Sequence, residues 1–92
     1  MKIIYEEQFK LSLQEISKYI ARDKVGASMN FKKELKKKIE LIVENPEMYR
    51  ASIYHDNENY RDLIHQGYTT IYKIDYESRS IKILDIFKWV NR

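Results

Sequence analysis

The sequence predicts an α+β fold in which an N-terminal strand precedes an antiparallel helical hairpin and a three-stranded antiparallel meander. A β-branched and aromatic run opens the chain, two stretches with helical periodicity follow, and three strand-like runs separated by turn formers complete it. Strands grouped after a helical hairpin favour helices packed on one side of a mainly antiparallel sheet. We therefore expect the helices to cover one side of the sheet and the other side to be open.

The first strand and the first helix adjoin. The run KIIY, residues 2–5, is long enough for one strand. From about Glu7 to Asp23 the apolar period changes to three and four, which places one side chain per turn on a single helical face: Phe9, Leu13, Ile16 and Ile20. We expect this apolar face of the helix to pack against the sheet.

A second helix follows a short break that we assign to Gly26 and Ser28. Its apolar positions again recur every three or four residues: Phe31, Leu35, Ile39 and Ile42. The helix is predicted to stop before Pro46. Because the break is short, the two helices must form an antiparallel hairpin.

After Pro46 the segment EMYRASIYHDNEN has no sustained period and predicts a loop across the domain. Three strands are then predicted, at about Tyr60–Gln66, Tyr68–Asp75 and Ser80–Lys88, with Gly67 in the tight connection between the first two. On the middle strand we assign Tyr68, Thr70, Tyr72 and Ile74 to the face beneath the helices.

Composition limits the class of protein. The 92 residues predict one domain, 1–92, because a chain of this length buries only about 60–65% of its unfolded surface. The chain has no cysteine and no apolar run of the roughly 20 residues that a membrane span needs. The N-terminal residues are acidic where a signal peptide needs an apolar stretch. These features predict a cytoplasmic protein that does not enter the membrane.

Metal and cofactor sites are not predicted. The two histidines, His55 and His65, are ten residues apart without a metal-binding pattern, and the two glycines, Gly26 and Gly67, make no phosphate-binding loop. A cluster of lysines stands out instead: Lys32, Lys33, Lys36, Lys37 and Lys38. The cluster has two interpretations, a solvated helix face and a patch for nucleic acid or an acidic protein.

Metal-free RNA cleavage needs a base, an acid and a cation for the developing charge. Several polar side chains could supply these parts, namely Arg61, His65, Tyr68, Lys73, Lys88 and Arg92. Each also has a structural interpretation: Arg61 and Asp62 could form an ion pair, and His65 could be an ordinary strand residue. Both interpretations are open at this point.

The last third of the chain carries a specific order of features. Arg61 and Leu63 stand two apart, Gly67-Tyr68 follows, then the triplet Ile71-Tyr72-Lys73, then the run IKILDIF, and an NP pair at Asn45 follows the second helix. In this order and spacing the chain resembles the RelE/ParE superfamily of toxins from bacterial type II toxin-antitoxin systems. The resemblance implies a small growth-inhibiting toxin that is neutralised by a cognate antitoxin.

The superfamily has two modes of action, and the resemblance implies different residues for each. RelE-like members cleave messenger RNA on the ribosome with basic residues, whereas ParE-like members poison DNA gyrase. Here Leu63 and Thr69 stand where the ribonuclease pattern has basic residues, and no histidine follows His65 as in another ribonuclease branch. We therefore favour a ParE-like toxin without catalysis of its own. The alternative is a ribosome-dependent ribonuclease using Arg61, His65, Lys88 and Arg92.

The resemblance also implies partners. We expect an antitoxin, with which the chain could form a heterotetramer, and DNA gyrase, or alternatively the ribosome and its messenger. The residues assigned to partner binding lie at the end of the chain: Phe87, Lys88, Trp89, Val90 and Arg92. Aromatic residues carry much of the energy of protein interfaces. The alternative interpretation is that Phe87 and Trp89 close the core.

Overall fold

A computed structural model describes residues 1–88. The elements in chain order are β1 (Lys2–Tyr5), α1 (Glu7–Asp23), α2 (Val25–Ile42), β2 (Tyr60–His65), β3 (Tyr68–Asp75) and β4 (Ser80–Lys88). This order confirms the α+β prediction. Of the four strands, three are bounded as predicted and β2 ends one residue early.

The four strands form one sheet in the order β1-β4-β3-β2. The meander β2-β3-β4 is antiparallel, whereas β1 pairs in parallel with β4 through Ile3 opposite Ile81 and Ile4 opposite Lys82. The helical hairpin carries the chain from one edge of the sheet to the other. The edge strand β1 is therefore the first strand in chain order, and its neighbour β4 is the last strand that the structure describes.

The core lies between the helices and one face of the sheet. On β3, Tyr72 and Ile74 are fully buried, and Tyr68 packs partly buried against them, which confirms the face chosen from the sequence. The helices contribute Phe9 from α1 and four α2 side chains, Phe31, Leu35, Ile39 and Ile42. The helical periodicities therefore identified the right faces.

The connection between β2 and β3 is a two-residue turn. Gln66 and Gly67 have φ angles of 50° and 85°. Positive φ at both central residues is typical of a type I′ turn, whose twist matches that of the strands it joins. Gly67 therefore lies in the tight connection between β2 and β3, as the sequence predicted.

The break between the helices was assigned to the wrong residues. Lys24 alone, in an extended conformation, separates α1 from α2, and Gly26 and Ser28 lie inside α2. Ser28 is buried, and its hydroxyl donates a hydrogen bond of 2.9 Å to the carbonyl of Ser17. It joins the two helices instead of ending one of them.

The second sheet face is only partly open, since Thr69 and Ile71 are buried there whereas Ile64 is 40% exposed; this corrects the expectation above. Residues 50–54, here called the strap, run along β2: the Arg50 carbonyl accepts from the Asp62 N–H, and the Ser52 N–H donates to Tyr60. The Tyr54 ring then meets the Phe87 ring edge-on at 5.1 Å. Phe87 pairs in register with Thr69, so the strap reaches from β2 to β4. Thr69 and Ile71 on β3, between these two strands, are buried on that face.

Candidate partner-binding surfaces

A groove of about 700 Å³ lies between α1 and α2. Its floor is apolar and contains Phe9 and Leu13 of α1 and Leu35 and Ile39 of α2, with Tyr5 of β1 at one end. Burial raises the pKa of the Tyr5 hydroxyl, and the charge of Glu40 adds to that effect. The hydroxyl is therefore neutral at physiological pH and suits an apolar environment.

Four lysines line the same groove, Lys10 and Lys18 from α1 and Lys32 and Lys36 from α2, together with Gln14. Sequence reasoning noticed the lysines of α2 but missed those of α1, because they are eight residues apart and form no run. Helical-wheel projections of α1 and α2 would have revealed all four lysines, because each lies beside the apolar stripe of its helix.

A smaller cleft of about 340 Å³ lies between α1 and the end of β4. Its lining includes Leu11 and Ile16 of α1 and Ile86, Phe87 and Lys88 of β4. Phe87 is half-buried and Lys88 is exposed. The other residues assigned to partner binding, Trp89, Val90 and Arg92, lie outside the described residues.

Arg61 is held by the backbone of the loop that precedes β2. Its Nε donates to the Glu58 carbonyl at 2.8 Å, and its Nη1 donates to the Tyr49 carbonyl at 3.1 Å. Asp62 turns to the other face of the strand and accepts from the Ile53 N–H at 3.1 Å, with an Arg50 nitrogen 3.6 Å from the same oxygen. The suggested pair of Arg61 with Asp62 is therefore replaced by Arg50 with Asp62, because adjacent strand residues face opposite ways.

His65 lies beneath α2. It is 2% exposed, its Nε2 is 3.2 Å from the Phe31 carbonyl, and its ring centre is 4.8 Å from that of Phe31. Burial, and to a lesser extent the charge of Lys38, lowers the pKa of the imidazole below its ordinary value. A neutral ring with Nε2–H as donor satisfies the contact with the carbonyl.

The structure does not bring the candidate ribonuclease residues together. Arg61 and His65 are four residues apart on one strand, which separates their backbones by about 13 Å. Lys88 lies at the same end of the sheet as His65, since both pair with Tyr68 in register, but His65 is covered by α2. Arg92 lies outside the described residues.

The two positions that depart from the ribonuclease pattern are interior positions. Leu63 is fully buried in the core, and Thr69 is fully buried on the opposite face of the sheet. A basic side chain at either position lacks access to an external phosphate in this fold. Within residues 1–88, no group of three or more histidine, aspartate or glutamate side chains is arranged to bind a metal ion, and no helix is long and apolar enough to cross a membrane.

A family model matches residues 3–88, that of the ParE toxin of type II toxin-antitoxin systems. No curated protein sequence shows significant similarity to the chain. The fold and the matched segment define a toxin of the RelE/ParE superfamily. Within it, the chain belongs to the ParE toxin family of type II toxin-antitoxin systems.

Solved structures share the fold at low sequence identity. A chain of the chromosomal ParDE system from P. aeruginosa superposes with a TM-score of 0.77 at 15% identity, covering 98% of this chain and 97% of that one. An E. coli RelE toxin mutant in complex with an antitoxin RelBc peptide gives 0.71 at 15% identity, with 98% and 84% covered. The intact E. coli RelBE toxin-antitoxin complex gives 0.69 at 15% identity, with 98% covered in both chains.

Proposed function

We propose that this toxin inhibits bacterial growth by poisoning DNA gyrase, and that a cognate antitoxin neutralises it in the cytoplasm within a heterotetramer. The observation that carries the proposal is the match of residues 3–88 to the ParE toxin family. The toxin acts by binding, so it needs no catalytic group or cofactor of its own. Its partners are the antitoxin and gyrase.

The internal contacts of Arg61 and His65 support this choice over RNA cleavage. The Nε and Nη1 groups of Arg61 donate hydrogen bonds to backbone carbonyls of the same chain, and His65 is buried. A general base must come within hydrogen-bonding distance of the proton that it removes. His65 cannot do so for an external ribose without first losing its cover by α2, and Arg61, which is permanently charged, can supply a cation but not a base.

The gyrase-contacting surface proposed here is the outer end of β4 with the residues that follow it: Phe87, Lys88, Trp89, Val90 and Arg92. Lys88 is exposed, and Phe87 borders the smaller cleft. An aromatic group beside a cation at the edge of an apolar cleft is a suitable anchor for a protein partner, because aromatic and cationic side chains dominate interface energies.

The test is an in vitro supercoiling assay with purified gyrase, relaxed plasmid and the purified toxin. We expect loss of supercoiling and trapping of cleaved plasmid. Lys88→Glu is expected to weaken this effect, whereas Lys24→Glu, an equal charge change in the turn between the helices, is expected to leave it unchanged. A toxin that neither inhibits gyrase nor traps cleaved DNA rules the proposal out.

The alternative, cleavage of messenger on the ribosome by Arg61, His65, Lys88 and Arg92, is tested in parallel in a reconstituted translation reaction. Messenger that is cut in translating ribosomes, with the cut lost in Arg61→Ala, establishes that alternative. Because Arg61 also holds the loop before β2, Tyr72→Phe serves as a control that weakens the same loop without removing a cation.

A further inference from the structure

The lysine cluster of α2 has an outer face that the proposed function does not use. Lys33 and Lys37 are four residues apart on this helix, and both are exposed. They lie nearly opposite to Leu35, which is buried against the sheet, because residues two apart in a helix are on opposite sides. Neither lines the groove between α1 and α2, whereas Lys32 and Lys36 do. The outer face, centred on Lys33 and Lys37, is therefore turned away from both the core and the groove.

The excess charge of the molecule is concentrated on this part of α2. Residues 32–40 hold five lysines and two glutamates, an excess of three that equals the net charge of +3 of the whole chain. The remainder of the chain is balanced. Within residues 1–88, Lys37 is the one lysine of the cluster with a carboxylate at ion-pairing distance, that of Glu34 at 3.9 Å. An anionic partner is therefore attracted to α2 in preference to other surfaces.

The exposed side chains of this segment are all charged. Among residues 32–40, Leu35 and Ile39 are buried and Lys38 is half-buried, and every other position is an exposed lysine or glutamate. A protein interface needs an apolar core, and a helix that lies on a membrane needs an exposed apolar face. The outer face of α2 offers neither. It suits a partner that is recognised by its negative charge alone.

The density of the lysines matches the density of phosphates on a nucleic acid duplex. The five lysines from Lys32 to Lys38 lie within a rise of about 9 Å along α2. A DNA duplex carries one phosphate per roughly 1.7 Å of its axis, or about five in the same length. Single-stranded nucleic acid is held by stacking of its bases on aromatic side chains, and residues 32–40 contain no aromatic side chain. Both observations favour a duplex.

We infer that the outer face of α2 binds the phosphate backbone of duplex DNA, with Lys33 and Lys37 at the centre of the contact. The choice of DNA over duplex RNA rests on the proposed function, because gyrase acts on DNA, whereas the choice of a duplex rests on α2 itself. Contacts with phosphates carry no sequence information, so the binding is independent of sequence. This surface is separate from the end of β4 that is proposed to contact gyrase.

The experiment uses the full chain without gyrase. Binding is followed by the fluorescence anisotropy of a labelled DNA duplex of about 20 base pairs, two turns of the double helix. A second DNA duplex of unrelated sequence, a duplex RNA of the same length and polyglutamate of the same total charge are the competitors. We expect the two DNA duplexes to bind equally, polyglutamate to compete weakly, and the affinity for DNA to fall steeply as salt is raised.

Two double variants with the same change in net charge distinguish the outer face from general attraction. Lys33→Gln with Lys37→Gln neutralises the outer face, and Lys2→Gln with Arg79→Gln neutralises exposed cations of β1 and of the turn before β4. We expect the first pair to weaken DNA binding by about fivefold or more, and the second pair by about twofold or less. Circular dichroism checks that both variants are folded.

The salt dependence and a chemical footprint locate the contact. Loss of two phosphate contacts is expected to lower the slope of log affinity against log salt concentration by about 1.8 in the variant of the outer face and to leave it unchanged in the control. Acetylation of lysines, followed by mass spectrometry, is expected to slow at Lys33 and Lys37 when DNA is bound.

Several results overturn the inference: no binding of DNA at low salt, equal loss in both double variants, competition by polyglutamate as strong as that by DNA, or tighter binding of duplex RNA. A footprint confined to lysines outside α2 also overturns it. The supercoiling assay is a separate measurement. A toxin that binds DNA through α2 but leaves gyrase active supports this inference and rules out the gyrase target, whereas one that inhibits gyrase without binding DNA overturns this inference alone.

Discussion

The imidazole of His65 on β2 lies under α2 with its Nε2 3.2 Å from the backbone carbonyl of Phe31. The other ring nitrogen, Nδ1, is buried without a hydrogen-bond partner within the described residues. Protonation would therefore place a charge in the interior, where the charge of Glu34 favours it less than burial and Lys38 oppose it. The contact joins the edge of the sheet to the middle of α2 and makes their packing sensitive to acid.

The first prediction concerns this pH dependence. The pKa of His65 is lowered from 6.5 by burial, so the unfolded chain binds a proton more readily than the folded one. The stabilising contribution is therefore fully present above pH 6.5 and is lost as the pH falls below that value. We expect His65→Gln, whose amide nitrogen can replace Nε2, to reduce the slope of unfolding free energy against pH, by at most about 1.4 kcal/mol per pH unit.

Urea denaturation at several pH values between about 7.5 and 5 measures this slope. His55→Gln is the control, because His55 is exposed and stacks on Tyr60 with ring centres 4.2 Å apart. The control is expected to keep the wild-type slope. If the two variants have the same slope, His65 is not the group responsible.

Local patterns in the sequence were sufficient for most of the fold. The spacing of Phe31, Leu35 and Ile39 identified the buried face of α2, because helical periodicity is set by neighbours in the chain. The Gln66-Gly67 turn was identified for a similar reason, since its backbone angles require a residue such as glycine. The pairing of β1 with β4 could not be predicted in this way, because the two strands are separated by nearly the whole chain.

The strap and the groove lysines could not be predicted from local patterns. The strap depends on Asp62, which reaches across to Arg50 and Ile53, and neither partner is marked in the sequence. Gly26 was interpreted as a break because glycine disfavours helix interiors, but in the first turn of α2 its cost is small. The assignment of Phe87 to partner binding stays a prediction, and the structure shows that its ring contacts Tyr54.

The second prediction concerns the buried hydroxyl of Tyr72, which donates to the Pro46 carbonyl at 2.7 Å. Burial raises the pKa of this phenol far above its ordinary value, so the hydroxyl keeps its proton and the hydrogen bond persists in alkali. We expect Tyr72→Phe to lower the free energy of unfolding by about 1–2 kcal/mol, because the carbonyl loses its partner. Tyr76→Phe, which removes an exposed bond of 2.6 Å to Glu47, is the control and should cost clearly less than Tyr72→Phe.

Both variants are measured by urea denaturation at pH 7. The comparison separates a buried bond from an exposed one in the same region, since Pro46 and Glu47 are adjacent. Equal losses in the two variants would contradict the assignment of Tyr72 as the residue that anchors the end of α2 to the sheet.

The third prediction concerns the strap. Asp62 is 1% exposed and accepts from the Ile53 N–H while pairing with Arg50, whose side chain is 48% exposed. We expect Asp62→Ala to destabilise the protein by about 2–3 kcal/mol, because it leaves the strap without its side-chain anchor on β2. Limited digestion with trypsin should cut faster after Arg50, since the strap lifts from the sheet.

The control for this variant is Asp75→Ala. Asp75 pairs with Lys82 at 3.5 Å near the surface, so its removal should cost clearly less than that of Asp62 and leave digestion after Arg50 unchanged. If trypsin cuts both variants at the wild-type rate, the strap is held by other contacts.

The fourth prediction compares the two glycines. Gly67 has a φ of 85° in the turn between β2 and β3, whereas Gly26 lies in α2, and an added Cβ meets no atom within 4 Å at either position. Gly67→Ala is expected to destabilise by about 1–2 kcal/mol, because a side chain disfavours the left-handed backbone. Gly26→Ala is expected to stabilise slightly, by about 0.5 kcal/mol or less, because alanine loses less backbone entropy in a helix but glycine already costs little in the first turn. Thermal unfolding of the two variants beside the wild type measures both effects, and changes of the same sign would contradict the backbone assignments on which they depend.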